Sequence, residues 1–157
     1  MMQLTDVSRR KMTGKLPDST VLLLEDQALI AIYVEELLHQ AGFDRVNTVA
    51  SCSDAERWLE GNTPGFAIIE TRLRDGKSDA IASLLERRKI PYVVHTADGH
   101  GSVSAFGKQR SRCWLSKPCD ADDFLAAISK CMPKAPATNQ PNMQVEYLSC
   151  RAESGLN

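Results

Sequence analysis

The chain has 157 residues, 43% of them hydrophobic, enough to fill one ordinary core while leaving two full domains crowded. Nineteen Lys and Arg against 20 Asp and Glu leave a formal net charge of −1 and a pI near 6.3, so no overall basic field draws the protein to nucleic acid or to an anionic membrane surface. No run approaches the roughly 20 apolar residues of a membrane-spanning helix and no N-terminal stretch is ordered like a secretory leader, so the expected location is cytoplasmic.

Residues 1–19 are polar, aperiodic and locally basic through Arg9, Arg10, Lys11 and Lys15, which predicts a flexible N-terminal tail. Residues 20–25 (TVLLLE) are continuously apolar up to their last residue, as a strand buried on both faces requires. Over 28–41, Ile30, Val34, Leu37 and Leu38 share one helical face, and Gly42 stands where a helix is capped. A second strand is predicted over 46–50 and a second helix over 54–60, with Trp58 and Leu59 turned inward. Residues 66–70 (FAIIE) read as a third buried strand, followed by a helix marked by Ile81, Leu84 and Leu85. Strands four and five fall over 92–96 and 113–116, and Phe124, Leu125, Ile128 and Met132 stripe the last helix. Residues 99–111 offer only Val103 and Phe106 as anchors for a fourth helix among Gly99, Gly101 and Gly107.

From residue 133 to 157 the chain opens on PKAPATNQPN, which predicts a disordered C-terminal tail too short to hold a DNA-binding module. The domain proper is therefore expected over 20–132. Cys52, Cys113, Cys119, Cys131 and Cys150 form no CxxC pair and have no histidine at zinc-ligand spacing, so they are expected to be reduced thiols.

Five β/α units of this size imply a flavodoxin-like (βα)5 fold, a doubly wound, parallel five-stranded sheet of order 2-1-3-4-5. Such sheets place their sites outside the carboxyl ends of the strands, which here end on Glu25-Asp26, Glu70, Thr96 and Ser116-Lys117. Three converging carboxylates would suit Mg²⁺, a hydroxyl could donate to a phosphoryl oxygen, and an ammonium could neutralise it. A single strand-end acid is commonly no more than a solvated cap; the combination at four successive strand ends is what points to a site.

On these residues the stretch from about 20 to 131 resembles the receiver domain of bacterial response regulators. VLLLEDQALI is similar to the family's first strand with its acidic pair, AIIETRLRDG to its phosphorylation strand and loop, PYVVHTADG to its hydroxyl-bearing strand, and WLSKP to its lysine-proline signature. The resemblance implies a cis Lys117-Pro118 peptide, a phosphoryl-contacting Lys117, Thr96 as the hydroxyl and Trp114 as the aromatic switch. It also implies a weak Mg²⁺ site on Glu25, Asp26, Glu70 and the carbonyl of Arg72, with an inserted ammonium competing for the acids.

Glu70 departs from the family, standing where receivers carry the nucleophilic aspartate. Its extra methylene displaces the carboxylate by roughly 1.5 Å, and a misplacement of about 1 Å can cost on the order of a hundredfold in an in-line transfer. The reading is a stand-alone, atypical, phosphorylation-independent receiver in phosphorelay signalling, not an enzyme, in which Glu70 pairs with Lys117. Its expected partners are a histidine kinase, a phosphotransfer protein or a downstream regulator, with no nucleic acid or membrane, and its expected state is monomer or weak homodimer. Alternatives are a conventional Mg²⁺-dependent phosphoacceptor modified at Glu70 or nearby, and a small phosphatase-like enzyme on a related fold. His95, one residue before Thr96, should turn to the opposite face of its strand and pack there, and the loop carrying Arg72, Arg74 and Asp75-Gly76 is expected as a solvated turn.

Overall fold

Strand β1 (Val21–Leu24) has four consecutive buried residues, so it must be covered on both sides. The computed structural model describes residues 20–97 and 113–132 and supplies both covers. After β1 come α1 (Ala28–Ala41), β2 (Val46–Val49), α2 (Cys52–Gly61), β3 (Phe66–Ile69), a small hairpin of β4 (Arg72–Leu73) and β5 (Gly76–Lys77), α3 (Asp79–Arg87), β6 (Tyr92–Thr96), β7 (Cys113–Ser116) and α4 (Ala121–Cys131). The main sheet is parallel throughout, in the order β2-β1-β3-β6-β7. With the hairpin strands set aside this is the expected 2-1-3-4-5 arrangement. The weak helix predicted over 99–111 and both predicted tails lie outside the described residues.

The period of two along each strand divides the core between the sheet's two faces. Leu22, Leu24, Ala67, Ile69 and Val94 meet Ala55 and Leu59 of α2 and Ile81 and Leu85 of α3. Val21, Leu23, Phe66, Ile68 and Val93 meet Val34, Leu37 and Leu38 of α1 and Phe124 and Ile128 of α4. Gly42 closes α1 in the left-handed conformation (φ 102°), its N–H donating to the His39 carbonyl while the N–H of Phe43 reaches Leu38.

Two local features differ from the sequence reading. Helix α2 starts at Cys52 rather than 54, because the Ser51 hydroxyl accepts from the backbone N–H of Asp54 and caps the earlier turn. The loop after β3 folds into the β4–β5 hairpin, in which Gly76 adopts φ 140° and both Asp75 oxygens accept backbone N–H groups at the start of α2, Cys52 at 2.8 Å and Ser53 at 3.0 Å.

The expectation of reduced cysteines is corrected for one pair. Cys113, at the start of β7, and Cys131, at the end of α4, form a disulfide with their Cα atoms 6.2 Å apart. They stand 18 positions apart in the sequence, and only the return of α4 antiparallel along its strand brings them together. Cys52 and Cys119 are free thiols; Cys150 lies outside the described residues.

Candidate functional site

The carboxyl ends of β1, β3, β6 and β7 bring Glu25, Glu70, Thr96 and Lys117 to one rim, each just past or at the last residue of its strand. The register fixes this: Leu24 lies beside Ile69 and Thr96 beside Ser116, so the following residues emerge side by side. Lys117 is held by its own N–H donating to the Thr96 carbonyl at 2.8 Å, and the peptide to Pro118 is cis.

The Lys117 ammonium sits between two carboxylates, 2.5 Å from Oε2 of Glu25 and 2.5 Å from Oε2 of Glu70. The other oxygen of each acid is also engaged. Oε1 of Glu25 accepts from the N–H of Gln27 at 2.9 Å. Oε1 of Glu70 accepts from the N–H of Thr71 at 2.8 Å and from the Thr96 hydroxyl at 2.6 Å, with the Thr71 hydroxyl 3.2 Å away. The two threonine hydroxyls lie 2.9 Å apart, and the Ser78 hydroxyl donates to the Glu70 carbonyl at 2.6 Å. Glu25, Glu70, Thr71, Ser78 and Thr96 are all buried.

Burial alone would raise the Glu70 carboxyl, but the hydrogen bonds from Lys117 and Thr96 and the lysine charge hold it below the usual carboxylate range. Burial would lower Lys117 in turn, and its bonds to Glu25 and Glu70 keep it above its ordinary value. The pair is therefore ionised at neutral pH, with one internal cation shared by two acids.

His95 faces the other way, as strand alternation implies. Its ring packs edge-on to Phe124 at 5.6 Å, and Nε2 lies 3.5 Å from Sγ of Cys119. Burial, reinforced by the nearby Lys117 charge, pushes it down to about 4, so it is a neutral core imidazole. Trp114 is half-buried beside Val94 and packs against the core on the α2–α3 face.

The expected three-acid magnesium set is not assembled. Asp26 is half-buried and stands outside the bonded network, and Arg72 begins the hairpin with an exposed side chain. Among the described residues no group of three His, Cys, Asp or Glu side chains is placed to hold a metal. The lysine is the physical reason: its ammonium already sits between the Glu25 and Glu70 carboxylates, where its charge competes with a divalent ion for the same acids. Sequence reasoning missed Thr71 and Ser78, whose only signal was adjacency to Glu70 and the turn before α3.

Comparison with known proteins places the chain in the receiver family of response regulators. SdrG from Sphingomonas melonis Fr1 is 32% identical with a TM-score of 0.62, the match covering 71% of this chain and 94% of SdrG. The transcriptional regulatory protein PdtaR of Mycobacterium tuberculosis is 27% identical over 152 residues, 91% of this chain and 74% of PdtaR. The receiver domain of the sensor histidine kinase PA1611 from Pseudomonas aeruginosa, solved with a magnesium ion coordinated in its active-site cleft, shares the fold at 19% identity and a TM-score of 0.63, over 72% of this chain and 96% of that one. Other solved neighbours are likewise response regulators or receiver domains. The chain spans less than two thirds of the length of several curated regulators it matches. No family model matches the sequence.

Proposed function

We propose that residues 20–132 form a receiver that signals by binding a partner protein, with Glu70 at the phosphoacceptor position and its ion pair with Lys117 standing in for the contact a phosphoryl group would make. The observation that carries this reading is the 2.5 Å approach of Lys117 Nζ to Glu70, buried beside the Thr96 hydroxyl. A phosphorylated aspartate would extend about two negative charges toward those donors. Glu70 extends one, on a longer arm, with Oε2 held by the Lys117 ammonium and Oε1 by the Thr71 N–H and the Thr96 hydroxyl, and the added methylene carries it away from the in-line position an aspartate would hold. In this reading Thr96 and Lys117 are retained as ligands of a permanent anion, Trp114 lies on the strand that ends in Lys117, and the domain stays in one conformation.

Binding needs surface, and α1 offers some. Leu29, Ile32 and Tyr33 are exposed at helical spacing, with Leu29 at 83% and Ile32 at 63% exposure, on the helix that begins three residues after Glu25. The partner class is a histidine kinase, a phosphotransfer protein or a downstream regulator.

Incubation with acetyl phosphate and Mg²⁺ followed by intact-mass measurement tests the proposal. The wild-type chain should gain no phosphoryl group, and a partner captured from the native cell should bind without any phosphodonor and be lost with Glu70→Ala. A stoichiometric phosphoryl adduct on the wild-type chain would instead make it a conventional phosphoacceptor.

A further inference from the structure

The edge of the sheet that delivers Lys117 is held by β6 on one side and by α4 on one face. Among the described residues β7 pairs with β6 alone, and its residues are half-buried or exposed, whereas β1, β3 and β6 are buried throughout. On its outer side stands α4, seated through Phe124 and Ile128. The Cys113–Cys131 bond joins these two elements, entering β7 at its first residue, while Lys117 leaves β7 at the other end, one residue past Ser116. A strand of four residues thus runs between a covalent tie and the ammonium that the two glutamates share. Both cysteines are half-buried, packed at the margin of the core that α1 and α4 cover.

We propose that Cys113–Cys131 is a reversible thiol–disulfide switch, and that its closed form holds β7 and α4 together so that Lys117 stays seated between Glu25 and Glu70. The chemistry requires an external dithiol as reductant. Its thiolate attacks one sulfur of the bridge, forming a mixed disulfide and releasing the other cysteine as a thiolate. The second thiol of the reductant then displaces the remaining cysteine, leaving two protein thiols and an oxidised, disulfide-bonded reductant; the two protons come from the dithiol. Opening removes a restraint from an 18-residue loop without breaking any β6–β7 hydrogen bond, so the expected result is a looser edge within an intact fold. The consequence for signalling rests on the receiver reading above; the existence and mechanical effect of the switch do not.

The full chain is trapped with iodoacetamide as isolated and after dithiothreitol, and its mass gives the number of blocked thiols. In parallel, hydrogen exchange is followed along β7 and α4, and brief labelling with an amine-reactive ester compares Lys117 with the exposed Lys77. Reduction should expose two further thiols, speed exchange in β7 and α4 about tenfold or more while β1 stays protected, and raise Lys117 labelling severalfold with Lys77 unchanged. A C113S/C131S variant should behave as the reduced protein with or without dithiothreitol, and C52S/C119S/C150S should keep the full response. Thiols at 113 and 131 that remain alkylatable after unalkylated protein has been exposed to a disulfide oxidant, or exchange and Lys117 labelling that ignore reduction of wild type, would overturn the switch. A phosphoryl adduct found in the mass experiment above would overturn the receiver reading and leave these measurements untouched.

Discussion

Mild acid should destabilise this protein through one residue, His95. Its ring is buried against Phe124 with Lys117 nearby, and its folded value of about 4 lies well below the ordinary 6.5. Between these two values the unfolded chain takes up a proton that the folded chain refuses, so stability falls as pH falls through that window and is fully present above about 6.5. The interval of 2.5 is worth about 3 kcal/mol when complete. At pH 5 about 2 kcal/mol should already be lost, above the range in which Glu70, held below its ordinary value, begins to protonate. Urea unfolding at pH 7.5 and pH 5, for wild type and His95→Gln, isolates the effect, because any pH-independent cost of the substitution cancels in the difference between the two pH values. The variant should lose about 2 kcal/mol less than wild type over that interval. An equal loss in both proteins, or an NMR titration placing His95 near 6.5, would refute the reasoning.

Lys117→Met leaves Glu25 and Glu70 buried without their shared cation and should cost about 3–5 kcal/mol in urea unfolding, much of it recovered when both acids are changed to Gln. Asp75→Ala should leave the sheet intact and speed amide exchange in the β4–β5 hairpin and at the start of α2, since both its oxygens accept from the N–H groups there. C113S/C131S should lower stability by about 3 kcal/mol, the value for closing a loop of this order, as read from the urea midpoint. Leu29→Asp with Ile32→Asp should abolish partner capture while leaving the melting temperature within a few degrees, because both side chains face solvent.

The parts of this fold that could be read from residues alone are those where one physical demand dominates. Continuous apolar runs such as VLLL and FAII have no exposed face to spare, so β1 and β3 could only be inner strands. The strand-end rule then located Glu25, Glu70, Thr96 and Lys117, and the structure brings those four together. Asp26, half-buried, makes none of these bonds. Pairings set by tertiary geometry were out of reach. Nothing in the spacing of Cys113 and Cys131 marks them as neighbours until α4 folds back along β7. Asp75 reads as an ordinary turn residue until the start of α2 is known to lie within 3.0 Å of it.

That contact, between the β4–β5 hairpin and the start of α2, has a counterpart at the other end of α2. Past the end of α3, the Arg88 guanidinium donates to the carbonyls of Leu59 and Asn62 and to the Thr63 hydroxyl, gripping the end of α2. Asp75, in the hairpin that leads into α3, thus holds the start of α2, and Arg88, just past α3, holds its end. The chain on either side of α3 is therefore fastened to α2, and the Thr71 and Ser78 that border the hairpin are themselves bonded to Thr96 and Glu70, so one continuous set of bonds runs from the buried acid to the two ends of α2.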